Sequence, residues 1–207
     1  MKLKNKVAIV TGGGKGIGEE ISLGLAKEGA KVVVADLDKE NSSYVVKEIL
    51  KNSGEAIYVE TDVSNEASVK NLISETINRF DQIDILINNA GIRHVKKLEN
   101  HDLSDWNDMI SVNLTGPYIC CQAVIPEMKK IGKGKIINFG SIASFMGRPD
   151  RVGYVAAKSG ILGLTRALAI DLKGTNINVN TICPGLISTP FNKKYAEDPT
   201  HGEQWGK

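Results

Sequence analysis

The sequence has little cysteine, which argues against a small protein stabilised by several disulfides or by a cysteine-bound metal. Its 207 residues contain three cysteines, Cys120, Cys121 and Cys183. Three cysteines are too few for a disulfide framework, and the sequence contains no Cys-x-x-Cys pair that would suggest a metal site. Because unpaired thiols persist in reducing compartments, we expect a cytoplasmic protein.

The chain also lacks an excess of one charge and any long apolar run. Lysine and arginine total 26 against 24 acidic residues, without a basic cluster, which argues against a nucleic-acid partner. No run approaches the ~20 apolar residues needed to cross a membrane, and the first one breaks at Thr11-Gly12, too early for a signal peptide. His94, His101 and His201 are spread along the chain, so we expect no metal site.

Short runs rich in valine and isoleucine alternate with longer segments of helical period. This alternation predicts one α/β domain over residues 1–207, a three-layered Rossmann fold with a doubly wound parallel sheet. Residues 185–207 are polar and weakly periodic, so we expect an incomplete, mobile substrate loop there. Strands are predicted at Val7–Val10, Lys31–Ala35, Ala56–Val59, Ile83–Ile87, Lys135–Phe139 and Asn176–Ile182, and helices at 16–29, 39–52, 66–80, 102–130 and 152–173.

The stretch TGGGKGIG directly follows the first predicted strand and opens the first helix. A pyrophosphate there needs a tight turn, close approach of the backbone and free helix N–H groups, which glycines permit. A glycine-rich loop alone is a weak signal, but its position between strand and helix predicts a dinucleotide site. The predicted contacts are Gly12, Gly14, Lys15, Gly16, Ile17 and Gly18.

Asp36 ends the second predicted strand, beside Leu37, and bears on the choice of dinucleotide. A carboxylate there accepts hydrogen bonds from the ribose hydroxyls of NAD and repels the 2′-phosphate of NADP. Asp38 is the better helix cap, which leaves Asp36 available. Lys15 favours NADP instead. However, the repulsion between a carboxylate and a second negative charge about 4 Å away amounts to roughly 4 kcal/mol, so we give Asp36 more weight. We therefore predict NAD, with NADP as the alternative.

Tyr154 and Lys158 stand four positions apart in RVGYVAAKSG, a run otherwise made mostly of small residues. On a helix this spacing places both side chains on one face. A close-packed helix face would explain the small residues alone. The ammonium would also lower the pKa of the phenol from about 10, which makes the pair suited to proton transfer near neutral pH.

Taken together, these stretches resemble the short-chain dehydrogenase/reductase family. Each motif is modest by itself, but their order and spacing over almost the whole chain are specific. The matching residues are Thr11–Gly18, Asp62-Val63, NNAG at Asn88–Gly91, Asn113, Ser141, Tyr154-x-x-x-Lys158 and Pro184-Gly185.

The resemblance implies a role for each matching position. Tyr154 would be the acid/base, Lys158 would tune it and bind the ribose, Ser141 would bind the substrate oxygen, and Asn113 would hold a relay water. Asn88 would support the central strand. The remaining cofactor contacts would be Asp62 and Val63 at the adenine, Asn89, Ala90 and Gly91 after the fourth strand, and Pro184, Gly185, Ile187 and Thr189 at the nicotinamide.

The implied activity is an NAD(H)-dependent interconversion of a secondary alcohol and a ketone. Because of Asp36, we favour a sugar, sugar-acid or polyol dehydrogenase. One alternative is an NADPH-dependent 3-oxoacyl-[acyl-carrier-protein] reductase, and another is a truncated, inactive nucleotide-binding protein.

Family members are usually longer and have seven strands, so we interpret the sequence as lacking the last helix and strand. Family members commonly form homodimers or homotetramers, and we expect this chain to do so through the helices at 102–130 and 152–173.

Overall fold

The computed structural model describes residues 1–196, with side chains described as far as residue 193. Within this range six parallel strands form one sheet in the order β3-β2-β1-β4-β5-β6. The predicted doubly wound α/β fold is therefore confirmed. The strands are β1 (Val7–Thr11), β2 (Lys31–Asp36), β3 (Glu55–Glu60), β4 (Ile85–Asn88), β5 (Gly134–Phe139) and β6 (Ile177–Ile182).

Helices cover both faces of this sheet, and none of those described is long and apolar enough to cross a membrane. Two short 3₁₀ turns, at Leu98–Asn100 and Ile142–Ser144, lie in the connections. The helices are α1 (Gly16–Lys27), α2 (Lys39–Lys51), α3 (Glu66–Phe80), α4 (Leu103–Ile110), α5 (Gly116–Lys130), α6 (Val152–Asp171) and α7 (Pro190–Ala196).

Alternate residues of each strand enter two separate apolar cores. Ile9 of β1 is buried with Leu72 of α3 and Val124 of α5, whereas its neighbour Val10 is buried on the other face with Val45 of α2. Side chains of successive strand residues point to opposite faces, so a strand covered on both sides must be apolar throughout. This requirement explains the unbroken valine and isoleucine runs.

The order of the strands places a crevice beside β1. Connections from β1 lead toward β2 and β3 on one side, and the chain then returns to pair β4 with β1 on the other. Ligands of open α/β sheets bind outside the carboxyl ends of the strands at such a reversal. Thr11 is paired with Asn88 at these ends, so the glycine-rich loop after β1 and the loop after β4 are neighbours.

A π-helical turn at Ser111–Thr115 interrupts the single helix predicted at 102–130. The amide of Gly116 donates to the carbonyl of Ser111, five residues earlier. Pro117 has no N–H for an ordinary helical bond to the carbonyl of Asn113, and its ring would crowd that carbonyl. The wider turn accommodates the proline and separates α4 from α5.

Within the segment 185–207, which we expected to be a mobile loop, the structure forms helix α7. Pro190 is its first residue, where a missing N–H costs nothing. The amides of Asn192 and Lys193 both donate to the carbonyl of Thr189. Residues 197–207 of the expected loop lie outside the described residues.

Candidate active site

The carboxyl ends of the strands open into a cleft of about 550 Å³. Most of the predicted site residues line it, so the structure brings together side chains that are far apart in the sequence. The predicted residues that do so are Gly12, Lys15, Gly16, Ile17, Asp36, Leu37, Asp62, Val63, Asn89, Ala90, Gly91, Asn113, Ser141, Tyr154, Lys158, Pro184, Gly185, Ile187 and Thr189.

The glycine-rich loop is held against the loop after β4. Gly12 has a φ of +63°, which favours glycine, and a Cβ there would lie 2.8 Å from the Cα of Ala90. Asn89 donates from Nδ2 to the carbonyl oxygens of Thr11 at 3.0 Å and Gly12 at 2.9 Å. These contacts keep the mouth of the loop free of side chains, which fits the approach of a pyrophosphate.

Two of the predicted contact glycines, Gly14 and Gly18, support the loop and are not part of the described cleft lining. A Cβ on Gly18 would overlap the carbonyl oxygen of Gly12, so this glycine lets α1 pack directly on the loop. The amide of Gly14 donates to Oδ2 of Asp36 at 3.0 Å. Both glycines therefore help to shape the loop.

Asp38, and not Asp36, caps helix α2, as the sequence indicated. Asp38 caps α2 by accepting from the amide of Asn41, and it pairs with Nζ of Lys15 at 2.5 Å. This ion pair holds the pKa of the Asp38 carboxyl well below its usual range. Asp36 accepts from two amides, those of Gly14 and Asp38, each at 3.0 Å. A carboxylate has about four acceptor positions, so Asp36 keeps capacity for ribose hydroxyls.

On the same side of the cleft, Asp62 and Val63 follow β3. Oδ1 of Asp62 accepts from the amide of Ser64 at 2.9 Å and from its hydroxyl at 2.6 Å. Val63 is buried against Gly116 at the end of the π-helical turn. Asp62 is therefore held by its own turn, and Val63 is held by packing against Gly116.

Asn113 lies inside the π-helical turn and is fully buried. Its Oδ1 accepts from the amide of Ile92 at 3.2 Å, while Nδ2 donates to the carbonyl oxygens of Ile92 and Met109, each at 3.0 Å. A Cβ on Gly91 would crowd this amide. Asn113 thus fixes the backbone of the loop after β4 where that loop borders the cleft.

Tyr154 is 9% exposed and lines the cleft together with Ser141. Ser141 also caps the turn after β5, where its hydroxyl oxygen accepts from the amide of Ala143 at 3.1 Å. Burial raises the pKa of Tyr154, and the Ser141 hydroxyl and the charges of Arg93 and Arg151 only partly oppose that rise.

Lys158 is buried on the same face of α6, with Nζ 5.9 Å from the centre of the Tyr154 ring. Nζ donates to the carbonyl oxygen of Phe139 at 2.7 Å, and burial lowers the pKa of the ammonium to about 8. The expected lowering of the Tyr154 pKa by Lys158 is therefore not found. Burial dominates at the phenol, and the ammonium is bonded to the end of β5 instead.

Three arginines that line the cleft were missed as site residues: Arg93, Arg148 and Arg151. Phe139, whose backbone carbonyl accepts the hydrogen bond of Lys158, was not predicted to have a role. The sequence did contain a signal for two of the arginines, because Arg148 and Arg151 stand shortly before Tyr154 in the chain. A backbone carbonyl leaves no such signal, since every residue has one.

The cysteines and histidines show no sign of a metal centre within the described residues, where no group of three or more potential ligands comes together. Cys120 and Cys121 are buried in the core, and burial raises the pKa of the Cys121 thiol to about 12. Asn88 belongs to the same interior and donates to Oδ1 of Asn138 at 2.8 Å. These groups stabilise the centre of the sheet.

Comparison with known proteins gives concordant results. Residues 6–200 match the family model of the short chain dehydrogenases. An uncharacterised oxidoreductase of Thermotoga maritima is 43% identical over 193 residues, which are 93% of this chain and 75% of that protein. A 3-oxoacyl-[acyl-carrier-protein] reductase of Synechocystis sp. is 41% identical over 95% of this chain and 80% of its own length. The crystal structure of levodione reductase, 32% identical, superimposes with a TM-score of 0.90, covering 94% of this chain and 77% of that one.

Proposed function

The chain belongs to the short-chain dehydrogenase family and is therefore an NAD(P)-dependent oxidoreductase of CH–OH groups, and we propose that it uses NAD(H) to interconvert a secondary alcohol and a ketone. The observation that carries the proposal is that Tyr154 and Ser141 both line the cleft beside the glycine-rich loop. An acid/base and a hydroxyl donor at one point suit an oxygen that gains or loses a proton.

The nicotinamide, when bound, supplies the hydride chemistry, and the protein supplies position and charge. Tyr154 takes the hydroxyl proton of the alcohol, or returns it in the reverse direction. Ser141 orients the same oxygen. Lys158 places a positive charge on the helix face of Tyr154 and binds ribose hydroxyls, while Asn113 anchors a water that relays the proton.

The preference for NAD rests on Asp36. Its carboxylate lies at the end of β2 and lines the cleft, where it would repel a 2′-phosphate. Lys15, the cation that could offset this repulsion, is paired with Asp38. The remaining contacts proposed for the cofactor are those of the cleft lining, from the glycine loop through Asp62 and Val63 to Pro184–Thr189.

Within this reaction class we propose a sugar, sugar-acid or polyol as substrate. A second candidate is the NADPH-dependent reduction of a 3-oxoacyl thioester, which is favoured by the 41% identity to the Synechocystis reductase. The two candidates differ in cofactor and in the direction expected in the cell.

A panel of secondary alcohols and ketones, assayed with NAD⁺/NADH and with NADP⁺/NADPH, tests these proposals. We expect kcat/KM to be about tenfold or more higher with NAD(H), which corresponds to ~1.4 kcal/mol. A KM about tenfold lower for NADP(H), together with turnover of acetoacetyl thioesters, would establish the second candidate instead.

We also propose a homodimer or homotetramer in the cytoplasm. The proposed contact is through the helices at 102–130 and 152–173, where Gly163, Ala167 and Ile170 form an exposed stripe of small and apolar residues on α6. The mass in solution, measured by light scattering for the chain and for Ile170→Glu, tests the contact. A monomeric wild type would refute it.

A further inference from the structure

Charge is distributed unevenly along the cleft, where Lys15, on the side of the glycine-rich loop, is already paired with Asp38. Of the described side chains that line it, the carboxylates are those of Asp36 and Asp62, which follow β2 and β3. Arg93 follows β4, and Arg148 and Arg151 lie between β5 and α6, on the other side of the reversal in strand order. The half of the cleft that contains Tyr154 is therefore lined by cations.

Arg93 and Arg151 line the same cleft as Tyr154. Their positive charges also favour the ionised form of the phenol and so lower its pKa, against the effect of burial. A substrate that reaches Tyr154 would therefore meet these charges.

Arg93 is held in place by the start of α7. Its guanidinium stacks on the ring of Phe191, 4.6 Å from the ring centre, and Nη2 donates to Oδ1 of Asn192 at 3.1 Å. A guanidinium fixed in one plane loses little conformational freedom when it binds a carboxylate or phosphate. The arrangement is thus suited to recognition of an oxyanion.

Arg151 is only 4% exposed, although it borders the cleft, and Nη1 donates to the carbonyl oxygen of Pro149 at 3.0 Å. Arg148 is half-buried in the same loop. Guanidinium groups in partly desolvated surroundings attract anions more strongly than they would in water. Three such groups on one wall disfavour a cationic ligand.

We propose that Arg93, Arg148 and Arg151 form a subsite for an oxyanion, a carboxylate or phosphate, on the substrate. This inference rests on the proposed function and narrows it: the substrate is a hydroxy or oxo acid, or a phosphorylated alcohol, and not a neutral polyol. The three arginines act as specificity-determining residues beside the proton-transfer pair.

Two matched pairs of ligands test the subsite. Calorimetric titrations of the protein–NADH complex would compare 3-hydroxybutyrate with 3-hydroxybutyramide, and glycerol 3-phosphate with glycerol. We expect the anionic member of at least one pair to bind about tenfold more tightly than its neutral partner, and added salt to reduce this difference. Which pair shows the difference distinguishes a carboxylate from a phosphate.

Variants connect this preference to the arginines. Arg148→Gln and Arg151→Gln should each reduce the preference about threefold or more, because the anionic ligand should lose more affinity than the neutral one, and Arg148→Lys should keep part of the preference. Circular dichroism would check folding, and since Arg148 is half-buried, its variants carry the test if Arg151→Gln unfolds. Equal binding of both members of each pair, or a preference that persists in the arginine variants, would overturn the proposal.

Turnover measured with the same ligands separates the two hypotheses. Arginine-dependent binding of an anion without oxidation or reduction would support the subsite and contradict the proposed reaction. Turnover of neutral alcohols, together with equal binding of the anionic and neutral ligands, would support the reaction and contradict the subsite.

Discussion

Lys158 donates a hydrogen bond of 2.7 Å from its ammonium to the backbone carbonyl oxygen of Phe139, the last residue of β5. This bond ties α6 to the sheet and holds the ammonium 5.9 Å from the centre of the Tyr154 ring. The position of the charge next to the phenol is therefore set by a backbone group of a neighbouring strand.

The buried ammonium should make folding stability depend on pH. Its pKa is lowered to about 8 in the folded protein, so between about pH 8 and 10.5 the unfolded chain binds a proton that the folded chain has released. The free energy of unfolding should therefore rise with pH in this window, by up to ~3 kcal/mol. Urea denaturation of wild type and Lys158→Met across the window measures this, and parallel curves for the two proteins would contradict it.

Replacing Tyr154 by phenylalanine should remove the acid/base and leave the shape of the site. We expect kcat to fall by about 10²- to 10⁴-fold, the range for loss of a proton-transfer group, while the Kd for NADH changes less than about threefold. Tyr44→Phe, at an exposed site on α2, is the matched control and should behave as wild type. A Tyr154→Phe enzyme within tenfold of wild-type kcat would refute the assignment.

Asp36 and Asp38 allow a paired test of cofactor choice. Asp36→Asn removes the charge that would repel a 2′-phosphate, and should raise the ratio of kcat/KM for NADP to that for NAD about tenfold or more. Asp38→Asn keeps a good helix cap but releases Lys15, and should raise the same ratio less, about threefold. Steady-state kinetics with both nucleotides gives these ratios. No change in Asp36→Asn would show that the carboxylate does not select the cofactor.

Two glycines of α1 should respond to alanine in opposite ways. A Cβ on Gly18 would overlap the carbonyl oxygen of Gly12, so Gly18→Ala should lower the free energy of unfolding by about 1–3 kcal/mol and weaken NADH binding. A Cβ on Gly24 meets nothing within 4 Å, and Gly24→Ala should stabilise the helix by up to ~1 kcal/mol. Thermal and urea unfolding compare the two, and equal effects would contradict the packing argument.

The local pattern of the sequence predicted most of the architecture. Strand runs that are apolar on both faces can be stable only between two layers of helices, so their alternation with helical segments determined a doubly wound parallel sheet. The glycine-rich loop, Asp36, and the spacing of Tyr154 and Lys158 could be recognised because each depends on neighbours close in the chain.

The tertiary structure decided how distant groups act on one another. Burial by several elements raised the pKa of Tyr154 against the expectation, and a carbonyl of β5 took the hydrogen bond of Lys158. The gathering of Arg93, Arg148 and Arg151 on one wall depends on where the loops after β4 and β5 lie. Desolvation and long-range electrostatics are sums over the whole fold, so the sequence determined which groups were present and only the packed structure decided how they are charged and paired.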